Sequence, residues 1–289
     1  LLAEEIIAMA EDSREGAAAP GKDDFTRFAG NSIPEHYDRG LGPVLFAGFG
    51  ERIARRAASY EPRRALETAA GTGIVTRLLR DLLPAGATLV ATDLNAPMME
   101  VAKTKFRADE PVEFRAADAG DLPFLDGAFD VAVCQFGVMF FADKAKSYRE
   151  ARRVLAEGGR YLFNVFDSLA SNPCPRVVGE LLASAFEIDP PPFLRVPYGY
   201  ASIDAIVAAL HDAGFRDVRV DVVTLMSRVD DLPAFAAAFV LGSPLADQIR
   251  ARGLDPLELV APVESVLRER ALEDGCAPLR AILFDAEAH

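Results

Sequence analysis

Ala65-Leu66-Glu67-Thr68-Ala69-Ala70-Gly71-Thr72-Gly73-Ile74-Val75 is the stretch that decides the fold. It reads as a short buried strand with an acid at its carboxyl end, then a turn of small residues, then a helix start. Gly71 and Gly73 lack side chains, so a ligand can lie against bare backbone there. The next apolar run, Ala87 to Thr92, ends in Asp93. The interval from Gly73 to Asp93 is that expected when an acid after the second strand holds a ribose. Together these features predict a nucleoside-bearing cofactor.

Outward from this stretch the pattern alternates. Strands are expected at 65–69, 87–92, 112–116, 129–135, 160–166 and 216–225, with helices at 73–82, 96–107, 143–155 and 202–213. Asn95 and Pro97 mark one helix start, and Glu157-Gly158-Gly159 reads as the break before a strand. Alternation of this kind implies an α/β fold with a mostly parallel sheet and helices on both faces. Residues 1–24 read as a short amphipathic helix and a flexible Gly-Ala-Pro stretch, Asn31 to Pro34 as a turn, and Pro43 to Ser59 as a helix. Residues 168–200 are Pro-rich, and 227–278 look mostly helical. Leu279 to Glu287 reads as a last strand, entered after a long excursion and so expected antiparallel at or near the sheet edge.

Composition narrows the function. The 289 residues carry a formal charge of −13, which argues against a nucleic-acid backbone as main partner. The pairs Arg55-Arg56 and Arg63-Arg64 are expected to be solvated. Half of the chain, 51%, is hydrophobic, yet no apolar run is long enough to span a membrane. Cys134, Cys174 and Cys276 are odd in number and far apart, so neither a disulfide framework nor a zinc site is supported. Three histidines, His36, His211 and His289, form no visible metal cluster, and no metal is expected. A reducing cytoplasm is the simplest location.

Four stretches, in this order and spacing, carry a resemblance: Leu66 to Gly73, Ala91 to Met99, Ala117 to Phe124 and Phe129 to Gly137. The segment Glu150 to Gly159 adds to it. The chain resembles the class I S-adenosylmethionine-dependent methyltransferases, especially the small-molecule group that includes quinone-biosynthesis enzymes. That resemblance implies a Rossmann-like, doubly wound, seven-stranded, mostly parallel sheet with a final antiparallel strand and a mostly helical lid. The expected organisation is an N-terminal helical lid segment at 1–60, the S-adenosylmethionine-binding core at 61–167 and a lid insertion at 168–200. A core helix and strand at 201–226, a helical lid insertion at 227–278 and the final strand at 279–289 complete it. The family's first turn glycine is Ala69 here, a small residue in its place.

Roles follow from the resemblance. Glu67 would hold the cofactor's amino group, and the backbone of Ala69, Gly71 and Gly73 would pass its methionine part. Asp93 would accept from the ribose hydroxyls, Leu94 and Met98 would pack near the adenine, and Asp118 with Ala119 would meet its amino group. Gln135 and Phe136 would border the transfer site, and Tyr37 would close over the cofactor. The cofactor becomes S-adenosylhomocysteine as product. Asp118 as a turn residue and Gln135 as a strand cap are the plainer alternatives.

The rival reading is an NAD(P)-dependent oxidoreductase. It is opposed by Thr76 at the third small position and by Glu67, whose charge would oppose a pyrophosphate. A catalytically degenerate cofactor-binding homologue is a further alternative. Methyl transfer rests mainly on alignment and exclusion of water. An alcohol, phenol or amine acceptor can require a base, and His36 is the candidate. Phe25, Phe28, Phe186, Phe193, Tyr198, Phe235 and Phe239 would line an apolar cavity or form the lid's own core. A small, partly apolar acceptor is favoured over protein or nucleic acid, and a homodimer is open.

Overall fold

The computed structural model describes Phe25, Phe28 and residues 33–289. The readings placed on residues 1–24 and on Asn31 and Ser32 fall outside the described residues. The chain forms two compact units: Phe46–Asp167 with Tyr200–Val223 and Ala281–His289, and the described part of Leu1–Leu45 with Ser168–Gly199 and Thr224–Arg280.

One seven-stranded sheet runs in the order β3-β2-β1-β4-β5-β7-β6. Its strands are β1 (Arg64–Thr68), β2 (Thr88–Asp93), β3 (Val112–Ala116), β4 (Phe129–Gln135), β5 (Leu155–Phe166), β6 (Phe215–Arg228) and β7 (Cys276–Ala288). β1 pairs in parallel with both β2 and β4, and β5 pairs antiparallel with β7. The last strand is therefore antiparallel and second from the edge. After β3 the chain returns to the other side of β1, so the order reverses between β1 and β4. In open sheets of this kind ligands bind at such a reversal, beyond the carboxyl ends of the strands.

The two faces of the sheet pack differently. On one, α2 (Ala47–Ala58) and α3 (Ile74–Leu82) cover the core strands through Ile53, Ala57, Val75 and Leu79 against Leu89, Val131 and Leu162, all buried. On the other, Tyr148, Tyr161, Phe163, Phe215 and Phe284 form an aromatic layer, with Phe163 and Phe284 stacked at 4.9 Å. Side chains alternate across β5, so Leu162 serves the first face and its neighbours the second. α5 (Lys144–Val154) and α7 (Ile203–Asp212) pack against each other, and α5 lies against β5. α4 (Ala96–Lys103) follows β2.

Several expectations are corrected. The helix expected over 96–107 stops at Lys103, because the next residues bond three positions back and Arg107 N–H turns to Glu110. Ile33 and Pro34 are not a turn: they open α1 (Ile33–His36), followed by a π-helical run, Tyr37–Phe46, that contains Pro43. Proline has no N–H to give, and the wider turn tolerates that loss. Glu157-Gly158-Gly159 is not a break before the strand. β5 already pairs at Leu155, and the extra residues bulge out between that pair and Val131 opposite Arg160, with Gly158 at φ 75°. Arg56 and Arg64 are not simply solvated. Arg64 pairs with Asp130 at 2.8 Å, and Arg56 pairs with Asp221 at 2.8 Å and Asp285 at 3.0 Å.

The other unit holds α1, α6 (Pro173–Ala185), α8 (Leu232–Leu241), α9 (Leu245–Arg250) and α10 (Val260–Arg270). Phe186, Phe193, Tyr198, Phe235 and Phe239 are buried within it, and Phe28 lies edge-on to Phe193 at 6.2 Å. Among the described residues no helix is long and apolar enough to cross a membrane.

Asp285 is 1% exposed and ties β7 to β5 and α2 by accepting from Arg160, Arg56 and Tyr60. Removing one partner of a buried charge network leaves the others uncompensated. Asp285→Ala is expected to cost about 3–5 kcal/mol in urea denaturation. Asp285→Leu combined with Arg160→Met is expected to cost less than the single change.

Candidate functional site

β1 delivers Glu67 to the reversal point. Its carboxyl is 2% exposed, flanked by Ala91 on β2 and Val133 on β4. Beyond Thr68 the chain must turn sharply into α3. Ala69, Gly71 and Gly73 all adopt positive φ, at 53°, 57° and 77°. Ala70 N–H bonds to Thr92 O, and Gly73 N–H to Ala70 O, each at 3.0 Å. A Cβ on Gly73 would lie 2.7 Å from that of Ala102, so glycine there lets α4 approach; on Gly71 it would meet only Met98 Cε, at 3.7 Å. Gly73 as cap leaves α3 without a capping side chain. The first N–H groups of such a helix suit an anion.

Asp93 binds this turn to the second strand. Its Oδ2 accepts Gly71 N–H at 2.8 Å, and its Oδ1 accepts Asn95 N–H at 2.7 Å. Asn95 Nδ2 also donates to Oδ1, at 3.4 Å, so of the carboxylate's roughly four acceptor positions the room for hydroxyl donors lies mainly at Oδ2. Burial pushes the Asp93 carboxyl up, opposed by the N–H donors of Asn95 and Gly71. Ala117 N–H bonds to Asp93 O at 3.2 Å, which brings the end of β3 alongside. There Asp118 is exposed and accepts Gly120 N–H at 2.8 Å, and Ala119 is buried. The turn role of Asp118 is real and leaves its second oxygen available.

Burial pushes the Glu67 carboxyl up to about 8, opposed by the neighbouring Thr76 hydroxyl and reinforced by Asp93. Among the described residues, Glu67 Oε2, Thr72 Oγ1, Thr76 Oγ1 and Gln135 Oε1 are buried with no bond of normal geometry. Thr76 therefore eases the burial of Glu67 by proximity only. Such atoms are costly to leave unmatched.

The structure brings together Glu67, Ala69, Gly71, Gly73, Asp93, Met98 and Ala119, with Asp118 at the rim. Met98 is 4% exposed, whereas Leu94 is 63% exposed and projects to solvent. Gln135 Nε2 donates to Phe46 O at 2.9 Å. The Phe136 ring does not face outward: it stacks on Phe166 at 3.9 Å and adjoins Phe46 and Phe49, leaving only backbone at the strand end. His36 and Tyr37 belong to the helical unit, at the end of α1 and the start of the π-helical run. His211 is exposed in the last turn of α7. Asp217, Glu287 and His289 bring ligand atoms within 4.8 Å of one another at the surface, a grouping not visible in their spacing.

Asn164 was not anticipated. It is 2% exposed, and its Oδ1 accepts Phe136 N–H at 3.2 Å, holding that residue at φ 52°. The signal was present: one amide inside the apolar run Tyr161 to Phe166.

Residues 66–163 match the family described as a methyltransferase domain. Over these residues the chain is similar to methyltransferases. Its relatives include a demethylmenaquinone methyltransferase of Thermus thermophilus, 41% identical over 135 residues, which are 45% of this chain and 60% of that protein. The chain thus spans less than two thirds of that relative. A malonyl-[acyl-carrier protein] O-methyltransferase of Geobacter sulfurreducens is 29% identical over 235 residues, 78% of this chain and 85% of that protein. The solved phosphoethanolamine N-methyltransferase 2 of Haemonchus contortus shares the fold, with TM-score 0.56 and 17% identity over 88% of this chain and 56% of that one.

This core makes two tests available. Ala69 at φ 53° carries a strain that glycine does not. Ala69→Gly is expected to raise stability by up to about 1 kcal/mol, read from the denaturation midpoint. Glu67 is proton-bound in the folded chain up to about pH 8 but only to about 4.5 when unfolded. The folded state therefore holds the extra proton between those values, and its stability falls as pH rises through them. Glu67→Gln removes this slope. The melting temperatures of the two proteins should diverge in the variant's favour from pH 5 to 8, and parallel curves would contradict the assignment.

Proposed function

We propose that this core binds S-adenosylmethionine and that the chain transfers its methyl group to a small, partly apolar acceptor. The observation that carries this reading is Glu67: a buried carboxyl with an unmatched oxygen beside a glycine turn that Asp93 ties down. A buried anion needs a cation or a proton. S-adenosylmethionine offers an ammonium and a sulfonium. A pyrophosphate would instead add negative charge next to Glu67, and a fully buried Thr76 occupies the third small position of a dinucleotide turn. Both disfavour a nicotinamide nucleotide.

In this reading Glu67 holds the ammonium and the α3 N-terminus the carboxylate. Asp93 takes the ribose hydroxyls, while Asp118, Ala119 and Met98 border the adenine. The bound donor supplies an electrophilic methyl on a sulfur that leaves neutral, so no residue need protonate the leaving group. The protein's work is alignment and exclusion of water. The roles of base for His36 and cover for Tyr37 rest on the resemblance alone, since both residues lie in the helical unit. Acceptor choice we assign to residues outside the donor motifs. The relatives' names point to different acceptors, so none is carried over to this chain.

Calorimetry tests the donor. S-adenosylmethionine and S-adenosylhomocysteine are expected to bind, and NADH not to. Asp93→Ala should weaken donor binding by about 10- to 100-fold, since two charge-assisted bonds are lost. Binding of a cation ionises Glu67, so at pH 7 a proton is released. The heat should then vary with the buffer's ionisation enthalpy, and affinity should rise with pH toward about 8. In Glu67→Gln both effects vanish. Tight NADH binding without S-adenosylmethionine binding would overturn the reading. Donor binding with no S-adenosylhomocysteine release, across phenols, quinols and carboxylates, would favour a degenerate homologue. A base role for His36 predicts that His36→Ala lowers turnover and leaves donor affinity unchanged.

A further inference from the structure

The loop that leaves β4 carries a charge to which methyl-donor binding gives no task. Lys144 opens α5, half-buried, with Nζ donating to Phe141 O at 3.0 Å. The same ammonium lies 5.0 Å from the ring centre of Tyr200. Among the described residues no carboxylate forms an ion pair with it, and burial alone acts on it, pulling it below its ordinary value. Arg80 is likewise held by carbonyls alone, but its guanidinium makes three such bonds, whereas Lys144 Nζ makes one. Arg77, Arg153 and Arg160 each sit on acids. Asp143, the adjacent acid, is used elsewhere: its Oδ1 accepts Lys146 N–H and caps α5.

Two further contacts fix this ammonium in place. Tyr200 OH shares a hydrogen bond with Tyr148 OH at 3.1 Å, and Tyr148 is fully buried, so the aromatic face beside Lys144 is held rigidly. Phe141, whose carbonyl Lys144 grips, lies against Gly137. A Cβ on Gly137 would fall 3.6 Å from Phe141 Cζ and 2.5 Å from the Cβ of Ala69 in the donor turn. The charge is therefore linked to the turn through two packed residues, Phe141 and Gly137, on the carboxyl side of the sheet. A partly desolvated ammonium is matched by an anionic oxygen, and the Tyr200 ring beside it is matched by an apolar body.

We propose that Lys144 and Tyr200 anchor the carboxylate of a small amphiphilic acid, and that this makes the methyl acceptor an organic acid with an apolar body. The proposal rests on the donor-turn reading above, because only that reading makes the neighbouring loop an acceptor site. Lys144 would act as a specificity residue, holding the carboxylate. Tyr200 would supply the flanking face.

The chain, saturated with S-adenosylhomocysteine, is titrated calorimetrically with benzoate, 4-phenylbutanoate and octanoate, and with their primary amides, at neutral pH and low salt. At least one acid should bind about tenfold or more tighter than its amide, the scale of one partly shielded ion pair. Lys144→Met should abolish that preference and Lys144→Arg retain most of it, with S-adenosylhomocysteine affinity unchanged in both. Salt at about 0.5 M should shrink it. Equal binding of acids and amides, no binding of any acid, or a preference that survives in Lys144→Met would each overturn the proposal. Should Lys144→Met fail to fold, protection of Lys144 from reductive methylation by the bound acid replaces it, and absence of protection counts against the anchor. Should S-adenosylhomocysteine not bind, the donor reading fails separately, and the acid-to-amide ratio is measured on the unloaded chain.

Discussion

The site depends on one carboxylate. Asp93 ends β2, yet its two oxygens hold the N–H of Gly71 in the first turn and of Asn95 in the second. It fixes two turns from two strands relative to each other, and its own carbonyl receives Ala117 from the third. Three strand ends are thus registered by a single residue. An acid is required because both partners are donors; asparagine would offer one acceptor and one further donor. The residue expected to meet the ribose is also the residue that shapes the cradle. Binding and architecture cannot be separated there by mutation alone, so pH and ligand-class readouts are more informative than loss of activity.

Glu67 presents the opposite case. It organises little and carries an electrostatic cost, since Oε2 is unmatched and burial raises its pKa to about 8. Such a group persists where function uses it. Held neutral by a proton, it costs little in the free protein. In the proposed role a cation replaces that proton. The same burial that disfavours the bare carboxylate strengthens its attraction to a cation, which makes the position selective for charge sign.

The alternating strands and helices were legible because parallel strands buried on both faces read as short apolar runs, and their turns need small residues. Boundaries failed where tertiary pairing overrode local signals. Gly158 and Gly159 look like a break, but β4 captures Leu155 and absorbs the excess as a bulge. In the site, Glu67, Gly71, Gly73 and Asp93 were legible because backbone conformation and charge dictate them at fixed spacing. Phe136 was not: whether an aromatic ring after a strand turns outward or inward depends on Phe46, Phe49 and Phe166, distant in sequence. Lys144 was invisible for the same reason, since its isolation from acids is a fact of three dimensions.

β1 and β4 are neighbours at the point where the sheet order reverses, and each is followed by a non-glycine residue at positive φ: Ala69 at 53° and Phe136 at 52°. Each position costs about 1–2 kcal/mol. Each is over-determined by its surroundings. Asn164 holds Phe136 N–H while three aromatic rings, Phe46, Phe49 and Phe166, hold its side chain. The Thr92 carbonyl holds the residue after Ala69, and Gly137 leaves room for its methyl. Two adjacent strained exits that close-packed neighbours enforce cannot relax independently, because a shift in one moves Ala69 against Gly137. The shape of the turn is therefore set by the fold itself, without a ligand. Preorganisation of this kind suits a reaction in which the protein contributes alignment rather than a proton or an electron.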